Sequence, residues 1–175
     1  MIVLIGLPGS GKSTVGKLVA RRRGEHFADS DQVIEQRIGC SIREFFEREG
    51  EERFRTIEAQ VLDELSASSL GGVLSTGGGA VLQEGNRERL KSRGEVVYLH
   101  ALPDDLYRRL RHDKVRPLLQ TADPRARLRA LYKTRDPLYR ETAHFIIETG
   151  RPTVATLVNM VMMQLDLGNR GEPRP

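Results

Sequence analysis

Cysteine and tryptophan are almost missing from this sequence of 175 residues, which has one cysteine, Cys40, and no tryptophan. A single thiol excludes a disulfide within the chain and any metal site built from several cysteines. Aromatic residues make up only 5% of the chain, so few side chains are available to stack on nucleic-acid bases. No apolar run approaches the length of a membrane helix, and the first apolar segment begins at residue 2. We therefore expect a cytoplasmic protein with neither a membrane span nor a signal peptide.

The charge of the chain does not indicate a nucleic-acid partner either. The formal net charge is +4, but the arginines are scattered along the chain and do not alternate with aromatic residues. Guanidinium groups spread in this way suit small anionic ligands. With 38% hydrophobic and 30% charged residues, the composition predicts a single globular domain over residues 1–167. Residues 168–175 lack apolar periodicity and are predicted to form a flexible tail.

A phosphate-binding loop is the most specific motif in the sequence. The run G-L-P-G-S-G-K-S at residues 6–13 fits G-x-x-x-x-G-K-[ST] and directly follows the apolar segment 2–5. Glycines let backbone N–H groups turn toward an anion, and the helix that follows presents its positive end to the same anion. We expect Lys12 to contact the terminal phosphates and Ser13 to ligate a magnesium ion. The predicted nucleotide contacts of this loop are Gly9, Ser10, Gly11, Lys12, Ser13 and Thr14.

Alternating apolar segments predict an α/β fold with a five-stranded parallel sheet flanked by helices. The predicted strands are residues 2–5, 26–28, 72–75, 96–99 and 145–147. The predicted helices are residues 12–23, the helical pattern that ends at 66 with breaks at Gly39 and Gly50, and residues 152–167.

The loop alone does not identify the phosphoryl acceptor, because ATPases, GTPases and small-molecule kinases share it. The sequence has no Asn-Lys-x-Asp run, which argues against a guanine-specific switch protein. No acidic residue follows the predicted strand 72–75, where a magnesium-holding carboxylate usually stands. Asp29 and Asp31 follow the second predicted strand, so one could face the metal and the other the acceptor. Capping of a helix by Ser30, with both acids in solvent, is the alternative.

Three consecutive glycines follow the third predicted strand. Gly77, Gly78 and Gly79 lack Cβ atoms, so the backbone can approach a ligand closely there. A tight turn would explain the same residues equally well.

Six motifs in this order make the sequence similar to the shikimate kinase family. They are G-L-P-G-S-G-K-S-T at 6–14, D-S-D at 29–31, F-R-x-x-E at 54–58, G-G-G at 77–79, R-P-L-L at 116–119 and R-D-P-L-Y at 135–139. The resemblance covers about residues 1–165. It implies a three-layer P-loop kinase fold, with a mobile lid and a helical substrate-binding region. It also implies a monomer that transfers the γ-phosphoryl group of Mg-ATP to the 3-hydroxyl of shikimate, in the biosynthesis of chorismate and the aromatic amino acids.

The resemblance also implies an acceptor site. Arg55 and Arg135 match the arginines that bind the shikimate carboxylate, and paired guanidinium contacts would fix the orientation of the ring. Asp31 matches the carboxylate that binds ring hydroxyls, and Glu58 is expected to hold Arg55 in place. Residues 77–79 match the family's substrate-binding glycines. The predicted substrate-binding region spans about residues 31–62.

On the donor side, the resemblance places Asp29 and Ser75 near the magnesium ion, together with Ser13. Arg116 matches an arginine of a lid at about residues 112–123, although an ordinary basic loop would read the same way. The predicted catalytic residues are Lys12, Asp31 and Arg116. Arg109 and Arg151 match positions that flank adenine, or are simply solvated.

Three other interpretations remain open at this stage. A sugar-acid kinase such as gluconate kinase would share the fold and the phosphate loop, although the D-S-D, F-R-x-x-E and G-G-G motifs favour shikimate. A nucleotide-binding module without turnover and a nucleic-acid-binding protein are the other two.

Overall fold

A five-stranded parallel sheet forms the centre of the protein. The computed structural model describes residues 1–68, 71–111 and 122–170; for residues 169 and 170 it describes the backbone only. The strands lie in the order β2-β3-β1-β4-β5 and all pair in parallel. They are β1 (Ile2–Ile5), β2 (Phe27–Asp29), β3 (Val73–Ser75), β4 (Glu95–His100) and β5 (Phe145–Glu148).

Helices cover both faces of this sheet. In the described part they are α1 (Lys12–Arg23), α2 (Ser30–Ile38), α3 (Ile42–Ser66), α4 (Glu84–Arg93), α5 (Pro103–Leu110), α6 (Pro124–Thr142) and α7 (Val154–Arg170). A short 3₁₀ turn, Ala80–Leu82, connects the glycine run to α4.

Alternation along the central strand divides the core into two halves. In β1, Val3 and Ile5 face one side, where they pack with buried residues of α3, α4 and α6. Ile2 and Leu4 face the other side, where α1 and α7 cover them. A sheet buried on both faces explains why β1 reads as a continuous apolar run.

A third apolar cluster supports the helices that carry part of the site. Ile34 of α2 packs with Phe45, Phe54 and Val61 of α3, and all four side chains are buried. The helix α3 begins with a reciprocal cap in which Ser41 and Glu44 bond to each other's backbone. It bends at Gly50, whose φ of 84° and ψ of 170° are not helical, so the predicted break there is a kink.

The predicted strands are confirmed to within two residues, but parts of the helical prediction are wrong. The sequence pattern did not locate α4, α5 or α6. The last helix extends to Arg170, so residues 168–170 are helical and the predicted tail does not begin at 168. Asp123, predicted as the end of the lid, caps the amino terminus of α6. Residues 112–121 of the predicted lid and residues 171–175 lie outside the described ranges.

The sheet brings the predicted site together because three neighbouring strands end at the same edge. Leu4 of β1 and Asp29 of β2 both pair with Ser75 of β3. The phosphate loop, the D-S-D motif and the glycine run leave the carboxyl ends of these strands, where ligands bind in open α/β sheets. No described helix is both long and apolar enough to cross a membrane.

Candidate active site

The phosphate loop wraps around the ammonium group of Lys12. The Lys12 Nζ atom donates to the carbonyl oxygens of Gly6, at 2.8 Å, and Leu7, at 3.0 Å, and the side chain is 8% exposed. Gly9 and Gly11 adopt φ values of 84° and 98°, a region that L-residues with a Cβ rarely enter. The loop therefore has the curvature that directs N–H groups and an ammonium group toward one anion.

Three oxygen-bearing side chains meet next to this loop. The Ser13 hydroxyl donates to Asp29 Oδ2 at 2.6 Å and lies 3.3 Å from Ser75 Oγ. The strand register explains the meeting, since Asp29 and Ser75 are direct partners across β2 and β3. Hydroxyl and carboxylate oxygens are the ligands that Mg²⁺ prefers, and it keeps several waters or phosphate oxygens besides. This donor set fits a magnesium ion, although no group of three or more His, Cys, Asp or Glu side chains occurs among the described residues.

Asp29 is also the cap of α2. Its Oδ1 atom accepts a hydrogen bond from the Asp31 N–H at 3.1 Å, while Oδ2 faces Ser13. The alternative in which Ser30 caps the helix is therefore wrong. The buried Ser30 hydroxyl instead accepts from the Gly77 N–H at 3.0 Å. The middle residue of D-S-D thus connects α2 to the glycine run.

The Asp31 carboxylate lies against the glycine run in a poorly solvated position. Burial, followed by the negative charge of Asp29, raises its pKa to about 6, and Lys12 opposes the rise. A Cβ atom at Gly77 would lie 2.5 Å from Asp31 Oδ1 and 3.2 Å from Glu58 Oε1. A side chain at position 77 would therefore have to displace the Asp31 carboxylate.

Arg55 is held by the partner that the sequence predicted. Its Nη1 atom donates to Glu58 Oε2 at 2.5 Å, and Glu58 is only 1% exposed. Burial raises the pKa of Glu58, and Arg55 opposes that rise. The guanidinium carbon lies 5.2 Å from the ring centre of Phe54 and 5.9 Å from that of Phe46. Salt bridge and aromatic rings together fix the direction of this cation.

The glycine run lies between the phosphate loop and both predicted carboxylate-binding arginines. A Cβ atom at Gly78 would lie 2.9 Å from Pro8 Cδ and 3.4 Å from Arg135 Nη1. A Cβ atom at Gly79 would collide with both terminal nitrogens of Arg55. The structure therefore brings Asp31, Arg55 and Arg135 to one short segment that contacts the phosphate loop.

The two arginines predicted to flank the adenine have fewer contacts than those of the acceptor site. Arg109 on α5 is exposed and donates to Thr149 Oγ1 at 3.3 Å, and Arg151 is exposed just beyond β5. Arg109 follows the carboxyl end of β4, and Arg151 follows that of β5. In the sheet these two strands lie on one side of β1, and β2, which precedes Asp31, lies on the other side. Arg116 lies outside the described residues, so no contact can be assigned to it.

A cleft of about 1130 Å³ lies along the phosphate loop, and Arg55, Arg135, Arg109 and Arg151 are not part of its lining. Its lining includes the phosphate loop, Asp29, Asp31, Ser75 and Gly78. The first turn of α3 also lines it, through residues whose roles the sequence did not indicate. The other residues with unpredicted roles are Ser30, within D-S-D, and Tyr139, within R-D-P-L-Y, whose hydroxyl donates to the Gly78 carbonyl at 2.5 Å. Their motifs were a usable signal, but the partner of each lies more than 40 residues away.

A phosphate loop beside a glycine run on which two arginines and a carboxylate converge defines the molecule as a P-loop kinase of the small-molecule type. The family model that matches the sequence, over residues 8–166, is that of shikimate kinase. Since this match covers most of the sequence, the chain belongs to the shikimate kinase family.

Individual relatives agree with this assignment. A shikimate kinase from Paracidovorax citrulli is 57% identical over 99% of this chain and 96% of its own length. A solved shikimate kinase from Acinetobacter baumannii, described as a complex with shikimate, is 47% identical with a TM-score of 0.89, and the alignment covers 98% of this chain and 94% of that one. A gluconokinase from Sinorhizobium meliloti is 19% identical with a TM-score of 0.58 over 98% of this chain and 97% of its own, which shows a shared fold alone.

Proposed function

We propose that the cleft binds ATP and shikimate side by side and transfers the γ-phosphoryl group to the shikimate 3-hydroxyl, giving shikimate 3-phosphate and ADP. As a member of its family, the chain is an ATP-dependent kinase that acts on shikimate. One observation carries the residue assignments. Asp31, Arg55 and Arg135 converge on residues 77–79, and Gly78 of this segment contacts Pro8 of the phosphate loop. Acceptor and donor sites are thus adjacent.

The donor site would hold the phosphates of ATP with backbone N–H groups of residues 9–14 and with Lys12. Ser13 and Asp29 would hold the magnesium ion, with Ser75 close enough to bond one of its waters. When bound, the ion supplies positive charge to the phosphate oxygens. Lys12 adds its own charge to the transferred group, and we assign Arg116 the same task from the lid. Arg109 and Arg151 would flank the adenine.

The acceptor site would orient shikimate through the negative charge of its carboxylate. The shikimate carboxylate would bind Arg55 and Arg135, because a guanidinium group donates two parallel N–H bonds to the two oxygens of a carboxylate. Glu58 keeps the Arg55 guanidinium in place through a buried salt bridge. The hydroxyl end of the ring would then point toward Asp31 and the phosphate loop.

Catalysis in this arrangement consists of positioning and charge stabilisation. The bond between the γ-phosphorus and the bridging oxygen of ADP breaks while the 3-oxygen of shikimate bonds to phosphorus. Asp31 accepts a hydrogen bond from the 3-hydroxyl and takes its proton as the new bond forms. A loose transition state needs little help from a base, so the orienting role of Asp31 comes first.

We also propose that the protein acts as a monomer in the cytoplasm. The six motifs that supply both proposed substrate sites lie within one domain, so one copy of the chain can complete the site. Light scattering at working concentrations would test the monomer.

An acceptor panel with matched variants tests the residue assignments. ADP release from Mg-ATP is measured with shikimate, gluconate, a nucleoside monophosphate or no acceptor. We expect only shikimate to stimulate turnover. Arg135→Ala should lower kcat/KM for shikimate by about 100-fold or more because a charged contact to the carboxylate is lost.

The control for this variant is Arg129→Ala, an exposed arginine on the same helix that should change kcat/KM less than twofold. Equal losses in both variants would contradict the acceptor site. Stimulation by another acceptor alone would contradict the function.

A further inference from the structure

Two carbonyl groups of the glycine run are bonded within the protein. The Gly77 carbonyl accepts from the Ala80 N–H at 3.1 Å, and the Gly78 carbonyl accepts from the Tyr139 hydroxyl at 2.5 Å. The described residues contain no cis peptide bond. In a planar trans peptide the C=O and the N–H of the next residue point in opposite directions. The N–H of Gly78 therefore points away from Ala80, and the N–H of Gly79 points away from Tyr139.

These two N–H groups have no hydrogen-bond acceptor among the described residues, whereas the Gly77 N–H bonds to Ser30. Gly79 is buried, and buried N–H groups without a partner are rare in native proteins. The Gly79 N–H thus lacks an acceptor where the Arg55 guanidinium also lies close to the backbone. An oxygen atom of a bound ligand would supply the missing acceptor.

The hydroxyl that fixes the Gly78 carbonyl is itself held firmly. The Tyr139 side chain is fully buried, and its ring centre lies 4.9 Å from that of Tyr98. Burial raises the pKa of Tyr139, so the hydroxyl stays protonated and donates. Tyr139 lies four residues after Arg135, so both side chains leave the same face of α6.

The family resemblance already implies that residues 77–79 bind the substrate. We propose that Tyr139 is a positioning residue for this segment: its hydroxyl orients the Gly78–Gly79 peptide so that the Gly79 N–H can donate to an oxygen of shikimate. This inference rests on the proposed function. It makes α6 responsible both for the carboxylate clamp, through Arg135, and for a backbone donor.

Replacement of the hydroxyl alone tests this role. Tyr139→Phe keeps the ring and its packing but leaves the Gly78 carbonyl without its donor and removes the hydroxyl that Arg135 contacts. We expect the dissociation constant of shikimate, measured by calorimetry without nucleotide, and its KM to rise by about tenfold. The KM for ATP should change less than twofold.

Tyr132→Phe is the matched control. It removes a bonded hydroxyl from the same helix, but its partner is His100 and not the glycine run. Shikimate affinity should stay within twofold of the wild-type value in this variant. An equal loss in both variants, or none in Tyr139→Phe, would overturn the positioning role. Absence of shikimate binding by the wild type would overturn the proposed function instead.

A measurement on the wild type covers the case in which Tyr139→Phe does not fold. Amide hydrogen exchange at Gly79 should slow at least about tenfold when shikimate is added, and should not respond to ADP alone. Unchanged exchange at Gly79 in the presence of saturating shikimate would overturn the inference.

Discussion

Asp31 keeps a charged carboxylate in surroundings that favour the neutral acid. Burial and the neighbouring Asp29 raise its pKa to about 6, so near neutral pH the group is ionised at a cost to the folded state. The same ionised group is what a hydroxyl acceptor needs as a hydrogen-bond partner. Stability and function therefore make opposite demands on this one residue.

The conflict at Asp31 predicts a pH-dependent gain in stability for Asp31→Asn. The folded pKa is raised above the unfolded value of 3.8, so the folded state binds more protons between pH 4 and 6. The free energy of unfolding therefore falls as pH rises through this window, and the loss is nearly complete above pH 7. Asp31→Asn should be about 1 to 3 kcal/mol more stable than the wild type at pH 7.5 and nearly equal at pH 4.

Urea unfolding at both pH values measures this effect. Asp166→Asn, at an exposed position of α7, is the control and should change stability by less than about 0.5 kcal/mol at either pH. An Asp31→Asn protein no more stable than the wild type at pH 7.5 would contradict the cost assigned to the charge.

At the scale of elements, Asp29 links the start of one helix to the proposed magnesium site. One carboxylate oxygen caps α2 through the Asp31 N–H, and the other accepts from Ser13 at the start of α1. A single side chain thus bonds to the first turns of two helices, α1 and α2.

Two substitutions at Asp29 should separate these tasks. Asn is an equally good cap, so Asp29→Asn should keep the free energy of unfolding within about 0.5 kcal/mol, whereas Asp29→Ala should lose about 1 kcal/mol. Both lack the charge that magnesium needs, so both should require at least about tenfold more Mg²⁺ for half-maximal activity. Normal Mg²⁺ dependence in Asp29→Asn would show that this carboxylate does not hold the metal.

Some helices and strands could be predicted from the sequence, and others could not. β1 and α1 could be predicted because a diagnostic loop lies between them. α4 could not, since only Asn86 and Leu90 are buried and no apolar stripe results. α6 contains Pro137, which normally signals a break. α7 continues through Gly168, where a Cβ atom would lie 2.9 Å from Phe145 Cζ, so this glycine reflects close packing against β5 and does not mark the end of the helix.

At the scale of the whole molecule, the site depends on the order of the strands in the sheet, and this order cannot be read from the sequence. Contiguous motifs gave the phosphate loop, the two aspartates and the glycines. Their meeting depends on β3 lying between β1 and β2, which makes Asp29 and Ser75 neighbours. The bonds of Ser30 and Tyr139 to the glycine run depend on that same arrangement, so residue patterns alone could not reveal them.

The identity of the product tests the central claim most directly. The protein is mixed with Mg-ATP and a limiting amount of shikimate, and the amount of ADP formed is measured. Phosphorus and proton NMR then identify the hydroxyl that carries the phosphate. We expect one ADP for each shikimate consumed and phosphate on the 3-hydroxyl only. In the proposed site Arg55 and Arg135 would hold the carboxylate, so Asp31 and the phosphate loop would face the hydroxyl end of the ring. ADP formed without phosphorylated shikimate, or phosphate on a different hydroxyl, would contradict the site described here.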